Sequence, residues 1–395
     1  MAFYSPFTIA QQIYQGSGCI SVIPEILKKE GWKRVLIVCG PSLLKTGAVK
    51  TFEQLLTDAG CEYRIFSDVK PNPLISDVET IGVPMCRELQ ADVLLAIGGG
   101  STMDSAKGIA IIGESDNTIF DIAGTWGKYP PHDPLPWKTY PVIAVPTTCG
   151  TGSEVLRNAV LSEPNGHKMV PMHDCIIPAY AICDPDLLAT LPRSVAAASG
   201  MDALVQAIEG TVSLAATDFA RTCGFRAVEL IGPVFRRYVD NPADKEAADA
   251  MSKGCMYAGL CWNNSFPAQN HGCNHPITEQ LHIPHGAACG IVMPWFTERN
   301  GQACKADFCR IYNYMVPDHP VAEADFDPAM LTEEFKQLNK YVGIAGRMMA
   351  EAGCTEETCE ALSAGFMNSP FYPVPTDKDD MKAAFIDMMN GKYDI

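Results

Sequence analysis

Short apolar runs, each ending at a turn and followed by an amphipathic stretch, constrain this chain more than any other feature. Arg34–Cys39 (RVLIVC) ends at Gly40-Pro41, and Ala91–Ile97 (ADVLLAI) runs into Gly98-Gly99-Gly100. Tyr63–Phe66 and Pro141–Val145 read the same way, with helices predicted near Gly47–Ala59 and over Ser76–Leu89. Continuous runs of Val, Ile and Leu mark strands buried on both faces, and strands separated by helices build a parallel sheet. Gly113–Trp137, rich in Pro and Asp, reads as a long loop. After Leu191-Pro192 the strand signal fades, and Ser194–Thr211, Ala215–Tyr238, Lys245–Asn263, Thr332–Ala352 and Asp377–Met389 read as helices. The predicted fold is therefore an α/β N-terminal domain with a parallel sheet, residues 1–190, followed by an all-α C-terminal domain, residues 191–395. A chain of 395 residues is also too long for one compact core.

Charge narrows the partners. With 30 Lys+Arg against 46 Asp+Glu the formal net charge is −16, which argues against nucleic acid or an anionic membrane as the main partner. The 16 cysteines are irregularly spaced, without zinc-finger pairs, and several (Cys39, Cys86, Cys149, Cys183, Cys289) lie in apolar or Gly-rich stretches where reduced thiols are buried. Residues 1–11 lack the basic and apolar regions of a signal peptide, and no apolar run has the length of a membrane span. The expected location is the cytoplasm.

Two Gly-rich loops point to a phosphate. Gly98-Gly99-Gly100-Ser101-Thr102-Met103-Asp104 lies between a buried strand and a helix over Asp104–Ile112. Glycines there admit close backbone approach, and a helix N-terminus offers free N–H groups to an anion. The spacing departs from the dinucleotide fingerprint, because Met103 stands where a third glycine is required. A tight strand-to-helix turn is the alternative. The second loop, Pro146-Thr147-Thr148-Cys149-Gly150-Thr151-Gly152-Ser153-Glu154, follows another strand, and paired loops at strand carboxyl ends are where open α/β sheets bind nucleotides. Ser153 and Glu154 also have helix capping as an alternative role.

Four of the eight histidines, His271, His275, His282 and His285, fall in NHGCNHPITEQLHIPHG. His271 and His275 are spaced i, i+4 on one helical face; Pro276 restricts continuation of that helix and Pro284 sets His285 on a turn. That density favours a metal or catalytic site over a structural one. Upstream, GMDALVQAIE at 200–209 is a strong helix with Asp202 and Gln206 on one face. Asp202 near a helix start has a dipole-complementing role as its alternative, but beside the histidines it supplies an oxygen donor to a mixed N/O site suited to Zn²⁺ or Fe²⁺.

Together these motifs resemble the iron-containing (group III) alcohol dehydrogenase family, which includes lactaldehyde reductase and 1,3-propanediol dehydrogenase. The resemblance spans Gly16-Ser17-Gly18, GGGSTMD at 98–104, PTTCGTGSEV at 146–155, Lys168, PAYAICDPDLLATLP at 178–192, GMDALVQAIE at 200–209, HGCNHP at 271–276, PHG at 284–286 and NSPFYPVPTDKDDM at 368–381. It implies the fold shared with dehydroquinate synthase, with the active site in the cleft between a dinucleotide-binding domain and a helical domain. Its cofactor contacts fall on Asn72, Gly99, Gly100, Ser101, Asp104, Thr147, Thr148, Thr151, Lys168 and Leu187. Its metal ligands fall on Asp202, His271 and His285, with Gln206 where the family usually has a fourth histidine, and His275 matches a further histidine near the nicotinamide.

Two departures matter. A neutral amide at Gln206 is a weaker donor than imidazole, so the metal, Fe²⁺ or Zn²⁺, is expected to bind through three strong ligands and Gln206. Gly40 stands where NAD-preferring members carry an Asp that repels a 2′-phosphate, which predicts tolerance of NADP(H), unless Gly40 only serves the turn before Pro41. The expected enzyme is a metal-dependent NAD(P)(H)-linked alcohol dehydrogenase or aldehyde reductase, a homodimer or larger, acting on a small alcohol or aldehyde. The catalytic residues would be Asp202, His271, His285 and His275. A metal-free NAD(P)H reductase of the same fold and a dehydroquinate synthase-like lyase are the alternatives. Trp262, Asn263, Phe266 and Cys149 are candidates for the substrate pocket; Arg157 and Arg193 read as solvated surface residues, with recognition of an anionic group as the alternative.

Overall fold

The computed structural model describes residues 11–123, 129–265 and 269–395. Phe266 and part of the Gly113–Trp137 loop lie outside the described residues. The chain divides into two compact units, one of residues 11–148 with Ser153–Leu188, the other of Cys149–Gly152 with Ala189–Ile395.

The first unit is built on a parallel sheet. Its strands are β1 (Gln12–Gln15), β2 (Arg34–Cys39), β3 (Glu62–Phe66), β4 (Val93–Gly98), β5 (Val142–Pro146) and β8 (Tyr180–Cys183), in the order β1-β8-β5-β4-β2-β3. A two-stranded antiparallel pair, β6 (Leu161–Ser162) and β7 (Lys168–Met169), stands apart from it. Central strands β2, β4 and β5 are buried almost throughout, with one apolar cluster on each face of the sheet. That double burial is why their sequences show no polar alternation. Helices α1 (Ile23–Glu30), α2 (Pro41–Thr46), α3 (Val49–Asp58), α4 (Val83–Leu89) and α5 (Gly100–Ile112) connect the strands. A π-helical turn at Val78–Gly82 splits the helix read over Ser76–Leu89. α5 begins at Gly100 rather than at Asp104, so the glycine loop forms its first turn. Among its described residues the long loop holds one short helix, α6 (Ile119–Ile122), opened by a Thr118–Asp121 capping box.

The second unit is helical: α7 (Arg193–Val212), α8 (Asp218–Ile231), α9 (Phe235–Asp240), α10 (Lys245–Asn263), α11 (Gln269–Leu281), α12 (His285–Asn300), α13 (Lys305–Met315), α14 (Ala329–Val342), α15 (Met348–Glu351), α16 (Glu356–Ala364) and α17 (Lys378–Met389). The single helix expected over Ala215–Tyr238 is two, broken at Gly232-Pro233, because proline disfavours helix in the residue before it. The helix expected over Thr332–Ala352 stops at Gly343, whose left-handed φ of +82° caps α14. Every residue of α7 from Gly200 to Val212 is buried, against α8, α10 and α12. Such a helix is a core helix, so each polar side chain on it needs a partner.

Prolines did not end the helices of the histidine stretch. α11 runs through Pro276, and Pro294 sits inside α12. A helical proline removes one N–H and strands the carbonyl four residues back. Here both stranded carbonyls find other donors: Gly272 O accepts the Met367 backbone N–H at 3.3 Å, and Gly290 O accepts the Asn339 amide at 2.7 Å. His285, expected on a turn, is the first residue of α12, with Pro284 at its N-cap.

Among the described residues no helix is long and apolar enough to cross a membrane. None of the sixteen cysteines is joined in a disulfide.

Candidate metal centre and nucleotide edge

Three helices of the second unit bring the metal candidates together. α7 carries Asp202, Gln206 and Glu209 at spacings of four and three, one buried face of the helix. α11 supplies His271 from its first turn, and α12 supplies His285 as its first residue. Glycine makes the last placement possible. A Cβ on Gly286 would stand 1.8 Å from the Ala198 carbonyl oxygen, so only glycine lets the start of α12 lie against α7.

The donors converge. His271 Nε2 and His285 Nε2 lie 3.4 and 3.6 Å from Asp202 Oδ1, and Asp202, His271, His285 and Cys289 each offer one ligand atom within 4.8 Å of the others. Asp202 is 4% exposed and His271 6%. Glu209, fully buried, accepts the backbone N–H groups of Asn270 (2.6 Å) and His271 (3.2 Å) on one oxygen and meets His271 Nδ1 with the other. That pairing leaves His271 Nε2 facing Asp202, the arrangement of a histidine ligand oriented by an outer carboxylate. Burial works to raise Asp202, yet His285 and His271 beside it hold its carboxyl below its ordinary value. Burial works to lower His271, but Cys289, Glu209 and Asp202 lift it well above its ordinary value. Burial pushes the Cys289 thiol up to about 12, and a coordinated cation acts in the opposite direction.

This donor set fits a divalent ion. Bonds of about 2.0–2.3 Å at tetrahedral angles put ligand atoms roughly 3.3–3.6 Å apart, close to the separations around Asp202. Two acidic groups buried beside the buried His271 and the partly exposed His285, at a cost on the order of several kcal/mol per buried ion, are hard to account for as packing. Of the other expected residues, His275 places its ring 5.7 Å from that of His285, and His282, exposed just after α11 with a φ of +55°, is not among the converging donors. Gln206 donates its amide N–H to the Thr151 carbonyl at 3.1 Å. Trp262 packs its ring 4.4 Å from that of His271, and Asn263 and Cys149 are buried. Arg157 is a buried partner of Asp174 at 3.3 Å rather than a solvated surface residue, whereas Arg193 pairs with Asp240 in the open. Sequence reasoning missed Glu209 and Cys289. The i, i+7 spacing of Asp202 and Glu209 and the i, i+4 spacing of His285 and Cys289 were the available signals.

The nucleotide candidates of the first unit collect along one edge of the sheet. In strand order, Leu187 follows β8, Thr147 and Thr148 follow β5, Gly99–Ser101 follow β4, Gly40 follows β2 and Asn72 follows β3. This is the carboxyl edge, and the chain reverses its winding between β2 and β4, where open α/β sheets take their ligands. The two loops are fastened together: Thr147 N–H donates to Gly98 O at 2.9 Å, and a Cβ on Gly99 would stand 2.9 Å from the Thr148 hydroxyl. α5 starts without a side-chain cap. Its first N–H groups are therefore open to an anion. Asn72 adopts φ +53°, rare for a residue with a side chain. Asp104 Oδ1 accepts the Ser153 hydroxyl at 3.0 Å, and that hydroxyl in turn accepts from the buried Lys107 ammonium at 2.8 Å. Burial raises Asp104 to about 6 despite Lys107. Ser153, considered as a helix cap, thus bridges the half-buried Asp104 carboxylate and the buried Lys107 ammonium, and only a short turn follows it. Lys168 lies on β7, outside the main sheet, and Thr151 belongs with the helical unit.

Comparison with known proteins gives a consistent picture. Residues 10–185 match the family described as iron-containing alcohol dehydrogenase, and residues 196–389 match the C-terminal domain of the Fe-containing alcohol dehydrogenase family. Lactaldehyde reductase of Escherichia coli (strain K12) is 32% identical over 354 residues, 88% of this chain and 89% of that protein. A crystal structure of 1,3-propanediol oxidoreductase superposes with a TM-score of 0.89 at 26% identity, covering 97% of this chain and 99% of that one. Sulfoacetaldehyde reductase from Bifidobacterium kashiwanohense, solved in complex with NAD⁺, gives a TM-score of 0.86 at 28% identity, covering 98% and 99%.

Proposed function

Because the chain belongs to the iron-containing alcohol dehydrogenase family, we propose that it is a metal-dependent, NAD(P)(H)-linked oxidoreductase that interconverts a small alcohol and its aldehyde. One observation carries the reading: Asp202, His271 and His285, from three different helices, converge in a cluster in which Asp202 and His271 are buried and His285 is partly exposed. These three side chains would hold the divalent ion. Bound there, the ion would supply Lewis-acid polarisation of a carbonyl and lower the pKa of an alcohol. Asp202 contributes the negative charge that offsets the cation, and Glu209 keeps the His271 ring turned so that Nε2 serves as the donor. His275 is the candidate to hold or move a proton at a ring nitrogen, one ring away from His285.

The nucleotide would rest its pyrophosphate on Gly99–Ser101 at the start of α5, with Thr147 and Thr148 beside it. Gly40 has φ −83°, open to any residue, and a Cβ there meets only ordinary contacts, 3.8 Å to the Ser42 hydroxyl and 3.9 Å to the Val69 carbonyl. Its backbone does not demand glycine, so the missing carboxylate reads as tolerance of a 2′-phosphate, and the enzyme uses NADP(H) as well as NAD(H). The converging donors and the family favour this reading over a metal-free reductase or a lyase. Asp202→Ala and His271→Ala should each abolish turnover while NADH binding, followed by nicotinamide fluorescence, survives. Retained turnover in both variants would refute the metal-centred reading.

A further inference from the structure

We infer that Cys289 is a metal ligand: its thiolate, and not the Gln206 amide, is the fourth protein donor beside Asp202, His271 and His285. The inference rests on the reading that those three residues bind a divalent ion, and it goes beyond that reading in naming a sulfur donor.

Position is the first argument. Cys289 follows His285 by one helical turn on α12, so the two side chains share a face by virtue of the backbone alone. Its Sγ stands 3.8 Å from Asp202 Oδ1, 3.9 Å from His271 Nε2 and 3.8 Å from His285 Nε2. A buried sulfur packing as a small apolar group has no reason to be nearly equidistant from a carboxylate and two imidazole nitrogens. A ligand atom has every reason, since the donors of one ion surround a common point.

Surroundings supply the second argument. Cys289 is fully buried, and the side-chain amide of Asn274 donates toward its sulfur at 3.0 Å. Asn274 is itself held by the Asn270 side chain at 3.2 Å, and Asn270 donates to the Cys289 carbonyl at 3.0 Å. Two buried amides on α11 thus fix both the backbone and the sulfur of Cys289. An N–H aimed at sulfur is the outer partner that orients a thiolate ligand and stabilises its charge. Gln206 donates its amide N–H to the Thr151 carbonyl at 3.1 Å, and the carbonyl oxygen left to it is a neutral, weaker donor than a thiolate.

Chemistry follows from the donor set. One carboxylate and one thiolate together balance a dication, and a soft sulfur beside two imidazoles moves the preference from Fe²⁺ toward Zn²⁺.

Cobalt reports sulfur directly. Metal-stripped enzyme loaded with Co²⁺ alone should show a near-ultraviolet sulfur-to-cobalt charge-transfer band. Zinc-loaded enzyme should show one sulfur scatterer at about 2.3 Å in zinc K-edge X-ray absorption. Cys289→Ser should lose the band and the sulfur shell while still taking up metal, and Gln206→Ala should keep both. Stoichiometric cobalt in the wild type without the band, or a band that persists in Cys289→Ser, overturns the assignment and leaves the three-ligand site standing. A wild-type enzyme that takes up neither Co²⁺ nor Zn²⁺ overturns the metal reading itself. Among the described residues Cys289 is the one sulfur in this cluster, so the sulfur shell at the zinc edge of the wild type still tests the assignment if the serine variant does not fold.

Discussion

Glu209 and His271 are joined twice: one carboxylate oxygen accepts the His271 backbone N–H at 3.2 Å, and the other meets the ring at Nδ1. The first contact fixes where the residue sits and the second fixes which ring nitrogen faces Asp202. Loss of such an outer carboxylate typically weakens metal binding by about 10- to 100-fold. Glu209→Gln should therefore reduce zinc affinity by roughly that factor, measured by competition with a chromophoric chelator. An unchanged affinity would assign Glu209 to helix packing alone.

Coenzyme preference should respond to Gly40. An aspartate fits there sterically, with ordinary contacts around its Cβ. Its charge would repel a 2′-phosphate, and each ~1.4 kcal/mol of discrimination is a factor of ten. Gly40→Asp is predicted to shift the kcat/KM ratio toward NAD(H) by on the order of tenfold. A ratio that does not move would place Gly40 away from the ribose.

Asn339 tests how the helical unit tolerates proline in α12. Its amide satisfies the Gly290 carbonyl that Pro294 strands. Leaving a buried carbonyl unpaired costs about 1–3 kcal/mol. Asn339→Ala should lower the urea midpoint accordingly, and an unaltered midpoint would mean that water or a backbone shift replaces the bond.

Much of the architecture was legible because burial on both faces writes itself into sequence. Arg34–Cys39 and Lys245–Asn263 read in the sequence with the bounds they have in the structure. The edge strand β1 and its neighbour β8 were not read: β1 has no buried residue, and β8 is only four residues long. The full extent of α11 and the existence of α12 escaped, because Pro276 read as restricting the first helix and Pro284 as setting His285 on a turn. The sequence does not reveal that Met367 and Asn339, distant along the chain, supply the donors that let prolines sit inside helices. The grouping of Asp202 with His271 and His285 was readable from residue chemistry and from family resemblance. Cys289 was not, because it is one of sixteen cysteines, several of them in apolar stretches, and so looks like packing.

Absorbance at the reduced-nicotinamide band tests the central claim, that this chain's redox chemistry depends on a metal held by Asp202, His271 and His285. The assay follows short aldehydes with NADH and NADPH, before and after chelation and with metal added back. Oxidation of the nucleotide that is lost on chelation and restored by Zn²⁺ or Fe²⁺ is the predicted result. Full activity in protein shown by elemental analysis to contain no metal would contradict it.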